Sequence, residues 1–162
     1  MRRLAIFLVA IVASLPIASA RIEASGTTSR SDSMFIVGKL IIPRLNIKTT
    51  IYKGVNNRQF DRGIGFCPGS AGPGTRGNLV LGGHRTAAIR PFYYIEKMKI
   101  GDEITVIRPG KTFVYKVTKV FVVKPTDVWI VNSSRSAILT IFTCHPRGST
   151  AKRYVVRATL VR

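Results

Sequence analysis

The stretch Ile138-Leu-Thr-Ile-Phe-Thr-Cys-His-Pro146 constrains the fold more than any other. From Ala137 to Phe142 it is apolar on both faces apart from Thr140, and it is short for a core helix. It is therefore read as a strand covered on both sides, ended by Pro146 and Gly148. Its C-terminal end carries Cys144. A thiol at the mouth of a rigid strand is held in place, as nucleophilic catalysis requires. A free cysteine is also a common small core residue. The rest of the chain must therefore supply a base and an oxyanion partner before chemistry can be assigned to it.

Strand signals surround this stretch. Lys39 to Ile42 and Thr49 to Tyr52 are short apolar runs, the first stopped by Pro43. Gly63 to Gly77, rich in glycine and carrying Pro68 and Pro73, reads as a long loop leading into a strand at Asn78 to Leu81. Pro91 can open a short helix that aligns Phe92, Ile95 and Met98 on one face and stops at Gly101. Glu103 to Ile107 and Phe113 to Val123 form a hairpin across Pro109-Gly110, with a bulge expected at Lys119-Val120 where the alternation slips. In the last strand, Arg153 to Val161, Tyr154, Val156, Ala158 and Leu160 take the core face. Many short strands and one helix imply a mainly β barrel or sandwich.

The N-terminus has a different character. Met1-Arg-Arg3 precedes an uncharged run from Leu4 to Ala20. A basic start and an apolar run mark an export segment, either cleaved after Ala18-Ser19-Ala20 or retained as a short membrane anchor. Arg2 and Arg3 would stay in the cytoplasm and place the rest outside. Residues 1–20 are thus expected as anchor or signal, 21–34 as a Ser/Thr/Arg-rich tether, and 35–162 as the folded domain. Lys and Arg number 26 against 7 acids, a balance suited to nucleic acid, anionic lipid or a wall polymer. An extracytoplasmic domain argues against nucleic acid. The two cysteines, Cys67 and Cys144, form no CxxC pair, and the acids do not cluster, so neither a structural zinc nor a calcium loop is indicated.

Gly72-x-Gly74-x-x-Gly77 has dinucleotide-loop spacing but opens a strand where that motif opens a helix, so its glycines are read as turn residues. Gly110-Lys111-Thr112 lacks the upstream glycine of a phosphate loop, Thr105 standing there. The arrangement that does hold is Cys144, His84 and Arg153. His84 ends a strand after two glycines, which let the backbone bend and leave the ring in a cleft. His145, adjacent to Cys144, points to the opposite face and is a poor base for it. Arg153 begins the next strand on its non-core face and could hold an oxyanion or a substrate carbonyl.

Ile42-Pro-Arg-Leu-Asn-Ile47, Pro68-Gly-Ser-Ala-Gly-Pro-Gly74, Gly77-Asn-Leu-Val-Leu-Gly-Gly-His-Arg85, Leu139-Thr-Ile-Phe-Thr-Cys144 and Lys152-Arg-Tyr-Val-Val-Arg-Ala158 together resemble a sortase. The resemblance runs from about Phe35 to the C-terminus. The Thr143–Gly148 region and the N-terminal segment are most similar to class E, with classes D and F as alternatives. The resemblance implies a closed eight-stranded β-barrel with one or two short helices. It places the catalytic cysteine at Cys144, the histidine at His84 and the arginine at Arg153, with Arg157 as the alternative arginine. Thr143, Asn78 and Arg85 are expected at the substrate. No metal or organic cofactor is implied. The expected activity is a membrane-tethered cysteine transpeptidase that cuts an L-P-x-T-G or L-A-x-T-G sorting signal on a secreted protein and passes it to a cell-wall or pilin amine. A hydrolase of the same signal and a non-enzymatic basic barrel for anionic wall polymer are the alternatives. Cys67 departs from the family pattern and is expected as a free, partly buried thiol, a disulfide to Cys144 being the alternative.

Overall fold

The computed structural model describes residues 36–162. Eight strands form a closed barrel: β1 (Ile36–Ile42), β2 (Ile47–Lys53), β3 (Ile64–Phe66), β4 (Gly77–Gly82), β5 (Glu103–Arg108), β6 (Lys111–Val123), β7 (Ala137–His145) and β8 (Lys152–Leu160). Their order around the barrel is β1-β2-β3-β4-β7-β8-β6-β5, with β5 pairing back onto β1. The β2/β3 and β4/β7 pairs are parallel and the others antiparallel. The expected mainly β fold is thus a barrel and not a sandwich. The segments 1–20 and 21–34 lie outside the described residues. Among the described residues no helix is long and apolar enough to cross a membrane.

Local chemistry sets the corners. Pro43 ends β1, and Asn46 takes a left-handed conformation, φ 52°, that returns the chain into β2. Gly110, φ 70°, closes the tight β5–β6 hairpin. The register of β6 against β8 shifts between Val117 and Lys119, beside the expected bulge. The expected helix after Pro91 is shorter than its pattern suggested. Turns lead into a 3₁₀ segment, Ile95–Lys97, yet Phe92, Ile95 and Met98 are all buried as one face.

Besides a 3₁₀ turn at Pro43–Leu45, three elements were not expected. β3 lies inside the glycine-rich stretch read as loop. Gly65 is required there because a Cβ would stand 2.3 Å from the Gly54 carbonyl oxygen. The one-turn helix α1 (Asn57–Phe60) is capped by the Asn56 side chain, which accepts from the Arg58 N–H. A 3₁₀ turn, Val128–Val131, packs outside the barrel.

That last turn accounts for the two-sided burial of β7. Leu139 and Ile141 point into the barrel with Leu79, Leu81, Val156 and Ala158. On the outer face Phe142 and the fully buried Val155 join Ile130 and Val123 in a second small cluster. Truncating Leu139 or Ile141 to Ala would cost about 2–5 kcal/mol, the usual range for a packed core aliphatic.

Candidate active site

Alternation along β7 puts Thr140, Phe142 and Cys144 on its outer face, opposite Leu139 and Ile141. β8 runs antiparallel beside it, and Cys144 and Arg153 are direct cross-strand partners. Side chains paired this way start about 5 Å apart at Cβ. On the other flank β4 runs parallel to β7, with Gly82 level with Phe142. His84 therefore emerges level with Cys144. Three chain regions converge because β7 is the middle strand of a β4-β7-β8 trio.

The paired glycines before His84 act through close approach and not through a bend, since neither has positive φ. A Cβ on Gly82 would lie 2.7 Å from the Phe142 ring, and one on Gly83 would lie 2.8 Å from the Phe92 ring. The His84 carbonyl accepts the Phe92 N–H at 3.3 Å. The imidazole Nε2 lies 3.1 Å from Asp61 Oδ1, and the ring meets Phe60 edge-on with centroids 5.4 Å apart.

His84, Cys144 and Arg153 all line one cavity of about 550 Å³. Its walls are Val55, Asn57 and Phe60 from the α1 region, Gly83–Ala87, Phe142–Cys144, and Gly148–Thr150 of the β7–β8 loop. The Arg153 guanidinium donates from one nitrogen to the Thr150 carbonyl at 2.8 Å and to the Lys152 carbonyl at 3.0 Å. Those bonds leave the remaining donors of its planar fork for other partners.

His145 lies on the opposite face, as expected. Its Nδ1 stands 2.7 Å from an Arg85 nitrogen. Burial, then the Arg85 and Lys152 charges, lower its pKa below the usual value, so the neutral ring that accepts from Arg85 is favoured. Arg85 also donates to the Cys144 carbonyl at 3.3 Å and to Glu96 at 2.7 Å, and Glu96 further pairs with Arg147.

The three residues expected at the substrate are placed differently. Asn78 is 1% exposed and not part of the cavity; its amide donates to the Ile130 and Asn132 carbonyls and accepts from Thr140. The structure places it away from the cavity, its amide nitrogen bonded at and just after the Val128–Val131 turn and its amide oxygen bonded to Thr140 of β7. Thr143 lines the cavity, but its hydroxyl donates to the Gly83 carbonyl at 2.7 Å, tying β7 to the end of β4. Arg85 also lines it but is 4% exposed and bonded inward, so it braces the Cys144 strand end from behind. Arg157, the alternative arginine, pairs with Thr140, four residues before Cys144. It bonds the Ile130 carbonyl and faces the Phe121 and Trp129 rings, away from the cavity.

Cys67 and Cys144 are both free thiols. The Cys67 N–H bonds the Val80 carbonyl, and Val80 is level with Thr140. Four residues of strand then separate it from Cys144, about 13 Å at the usual rise, beyond the ~7 Å Cα limit for a disulfide. Burial pushes the Cys67 thiol pKa up. Among the described residues no group of three His, Cys, Asp or Glu side chains comes together as metal ligands.

Sequence reasoning missed Asp61, which is within hydrogen-bond distance of the His84 ring, and Phe60, which meets it edge-on. The available signal was Asn56 followed three residues later by Gln59, an N-terminal helix pattern.

A family model described as the sortase domain matches residues 40–161. The chain is 29% identical over 151 residues to sortase D of Bacillus subtilis (strain 168), covering 83% of this chain and 74% of that one. It is 35% identical over 88 residues to sortase SrtE1 of Streptomyces coelicolor, covering 50% of this chain and 25% of that one. A solved Clostridium perfringens sortase D5 transpeptidase superposes with a TM-score of 0.71 at 31% identity, covering 79% of each chain. Sortase C1 from Streptococcus agalactiae superposes at 0.74 with 31% identity, covering 81% of this chain and 70% of that one. The closed barrel, the cysteine at the end of its central strand and these matches agree, and the chain belongs to the sortase family of cysteine transpeptidases.

Proposed function

We propose that this transpeptidase cuts a sorting signal of the L-P-x-T-G or L-A-x-T-G kind between Thr and Gly and joins the new carboxyl end to an amine of a cell-wall precursor or pilin. The observation that carries the reading is the convergence of Cys144, His84 and Arg153, from three separate strand ends, on one cavity. The apolar walls at Val55, Phe60, Ala87 and Phe142 suit the aliphatic start of such a signal.

The Cys144 thiolate attacks the Thr carbonyl carbon, forming the C–S bond and placing negative charge on oxygen. Arg153, opposite Cys144 in register, and nearby backbone N–H groups hold that oxygen. As the C–N bond breaks, the imidazolium of His84 gives its proton to the departing glycine amine. An incoming amine then attacks the thioester, His84 takes its proton, and the thiolate leaves. Water in place of the amine would give hydrolysis with the same residues, so acceptor access decides the product. The Leu4–Ala20 run after Arg2 and Arg3 supports an anchored enzyme with its barrel outside the membrane. The short β7–β8 loop and the D and E designations among the relatives support a place near classes D and E.

The test is intact mass spectrometry of the protein incubated with a small set of sorting-signal peptides, with and without an amine. A mass gain equal to the peptide up to its Thr is expected, reversed by amine and absent in Cys144→Ala. Cys144→Ala should keep its stability within about 1–2 kcal/mol. Full cleavage by that variant would sink the mechanism.

A further inference from the structure

We propose that Asp61 is the positioning residue for His84: it holds the neutral imidazole with its proton on Nε2, which assigns proton exchange to Nδ1. The inference rests on reading His84 as the acid–base group.

Nε2 lies 3.1 Å from Asp61 Oδ1. An ionised carboxylate can only accept, so a neutral ring bonded to it must carry its proton on Nε2, leaving the lone pair on Nδ1. Among the described residues no second group hydrogen-bonds the ring, so Nδ1 stays available. That nitrogen is then the one that takes a proton from thiol or amine, and in the imidazolium the one that returns it.

The carboxylate and the ring edge that meet His84 come from consecutive residues, Phe60 and Asp61. Their turn is rigidly built. Asn56 caps α1, and the Asp61 N–H donates to the Asn57 carbonyl at 2.8 Å. The Gly63 N–H donates to the Gln59 carbonyl at 3.0 Å. Phe60 lies so close over β3 that a Cβ on Gly65 would stand 2.7 Å from its ring. Gly65 in turn pairs with Gly82, two residues before His84. The turn that carries the clamp leads into β3, the base follows β4, and those two strands are paired. Asp61 is 62% exposed on its side chain, so solvent screens its charge. Its effect is expected in the orientation and tautomer of the ring, not in substrate binding or stability.

The experiment uses the full chain labelled with ¹⁵N. It has two histidines, and a His84→Gln spectrum assigns the pair. At a pH where the ring is neutral, His84 is expected to show a protonated Nε2 and a bare Nδ1. Asp61→Ala should give a mixture of tautomers and lower kcat about tenfold, part of the usual worth of a positioned acid–base group. KM and melting temperature should be unchanged, and Asp61→Glu should restore part of both the tautomer bias and kcat. A wild-type ring protonated on Nδ1, or an Asp61→Ala protein with unaltered tautomer or unaltered kcat, overturns the proposal. So does a loss of kcat that follows a fall in melting temperature. Full activity in His84→Gln would instead defeat the acid–base reading, while the tautomer spectra would still decide the Asp61 contact.

Discussion

The β4-β7-β8 trio carries two polar clusters about four residues apart along the strands, and they behave oppositely. Near its start lie Asn78, Thr140 and Arg157. Their side chains bond one another and the Ile130 and Asn132 carbonyls, and they pin the Val128–Val131 turn over the outer face of β7. At its other end lie His84, Cys144 and Arg153 around the cavity. There, among the described residues, the ring has one hydrogen-bond partner and the arginine bonds the Thr150 and Lys152 carbonyls through one nitrogen. Polar side chains on this trio, an arginine of β8 in each cluster, serve structure where their hydrogen-bonding capacity is filled from within. They can serve chemistry where it is left open to a cavity.

Substituting matched residues at the two ends should break this comparison or sharpen it. The largest expected effect is at Arg153. Arg153→Lys keeps the charge but loses the planar fork of donors. Peptide turnover should fall by about 10²-fold, the scale of losing an oxyanion donor, with little change in melting temperature. If Arg153→Lys turns over normally, or loses activity only by unfolding, the residue is structural and the two clusters differ less than argued.

Asn78→Ala should show the reverse pattern. It strips a partner from the Thr140 hydroxyl and from the Ile130 and Asn132 carbonyls, so unfolding in denaturant should reveal a loss of about 2–3 kcal/mol. Turnover by the folded fraction should stay near wild type. A specific loss of turnover with intact stability would return Asn78 to the substrate.

Arg157→Lys is milder. It loses part of its bonding to Ile130 and Thr140 and its flat contact with Phe121 and Trp129, for about 1 kcal/mol of stability. Measured beside Arg153→Lys, it should be the variant with a lower melting temperature and near-normal turnover. The opposite result would move the oxyanion role four residues along β8.

The placement of residues at the cavity end was the more legible in sequence, for a physical reason. Cys144 and Arg153 are fixed by alternation on adjacent strands, a period-two pattern that survives without knowing the partners. The two apolar faces of β7 also announced its central place. Asn78 was not separable from a cavity residue in sequence, because its motif spacing is the same whether a polar side chain points into a cavity or bonds a distant carbonyl. The partners of Asn78 lie 52 and 54 residues away, and no local pattern encodes them. β3 was missed because Gly65, one of the glycines that mark the stretch as a loop, is required within the strand by the Gly54 carbonyl and the Phe60 ring. The Gly82-Gly83 pair was read as freedom to bend, whereas it makes room for two rings.

The smallest expected effect lies behind the cavity end, at His145. Its folded-state pKa is lowered by burial and by the Arg85 and Lys152 charges, so the native state favours the neutral ring more than the unfolded chain does. The Tyr154 ring also faces it, 5.6 Å away between centroids. A depressed pKa means that the unfolded state binds the proton more readily. The stabilisation is therefore present above the unfolded value of about 6.5 and is lost as pH falls through the lower folded value. Melting temperature followed downward from pH 7.5 should drop more steeply in wild type than in His145→Gln, whose amide oxygen can still accept from Arg85 but does not titrate. Equal slopes would mean that His145 is not held neutral by Arg85, and that the brace behind Cys144 rests on Glu96 and the Cys144 carbonyl alone.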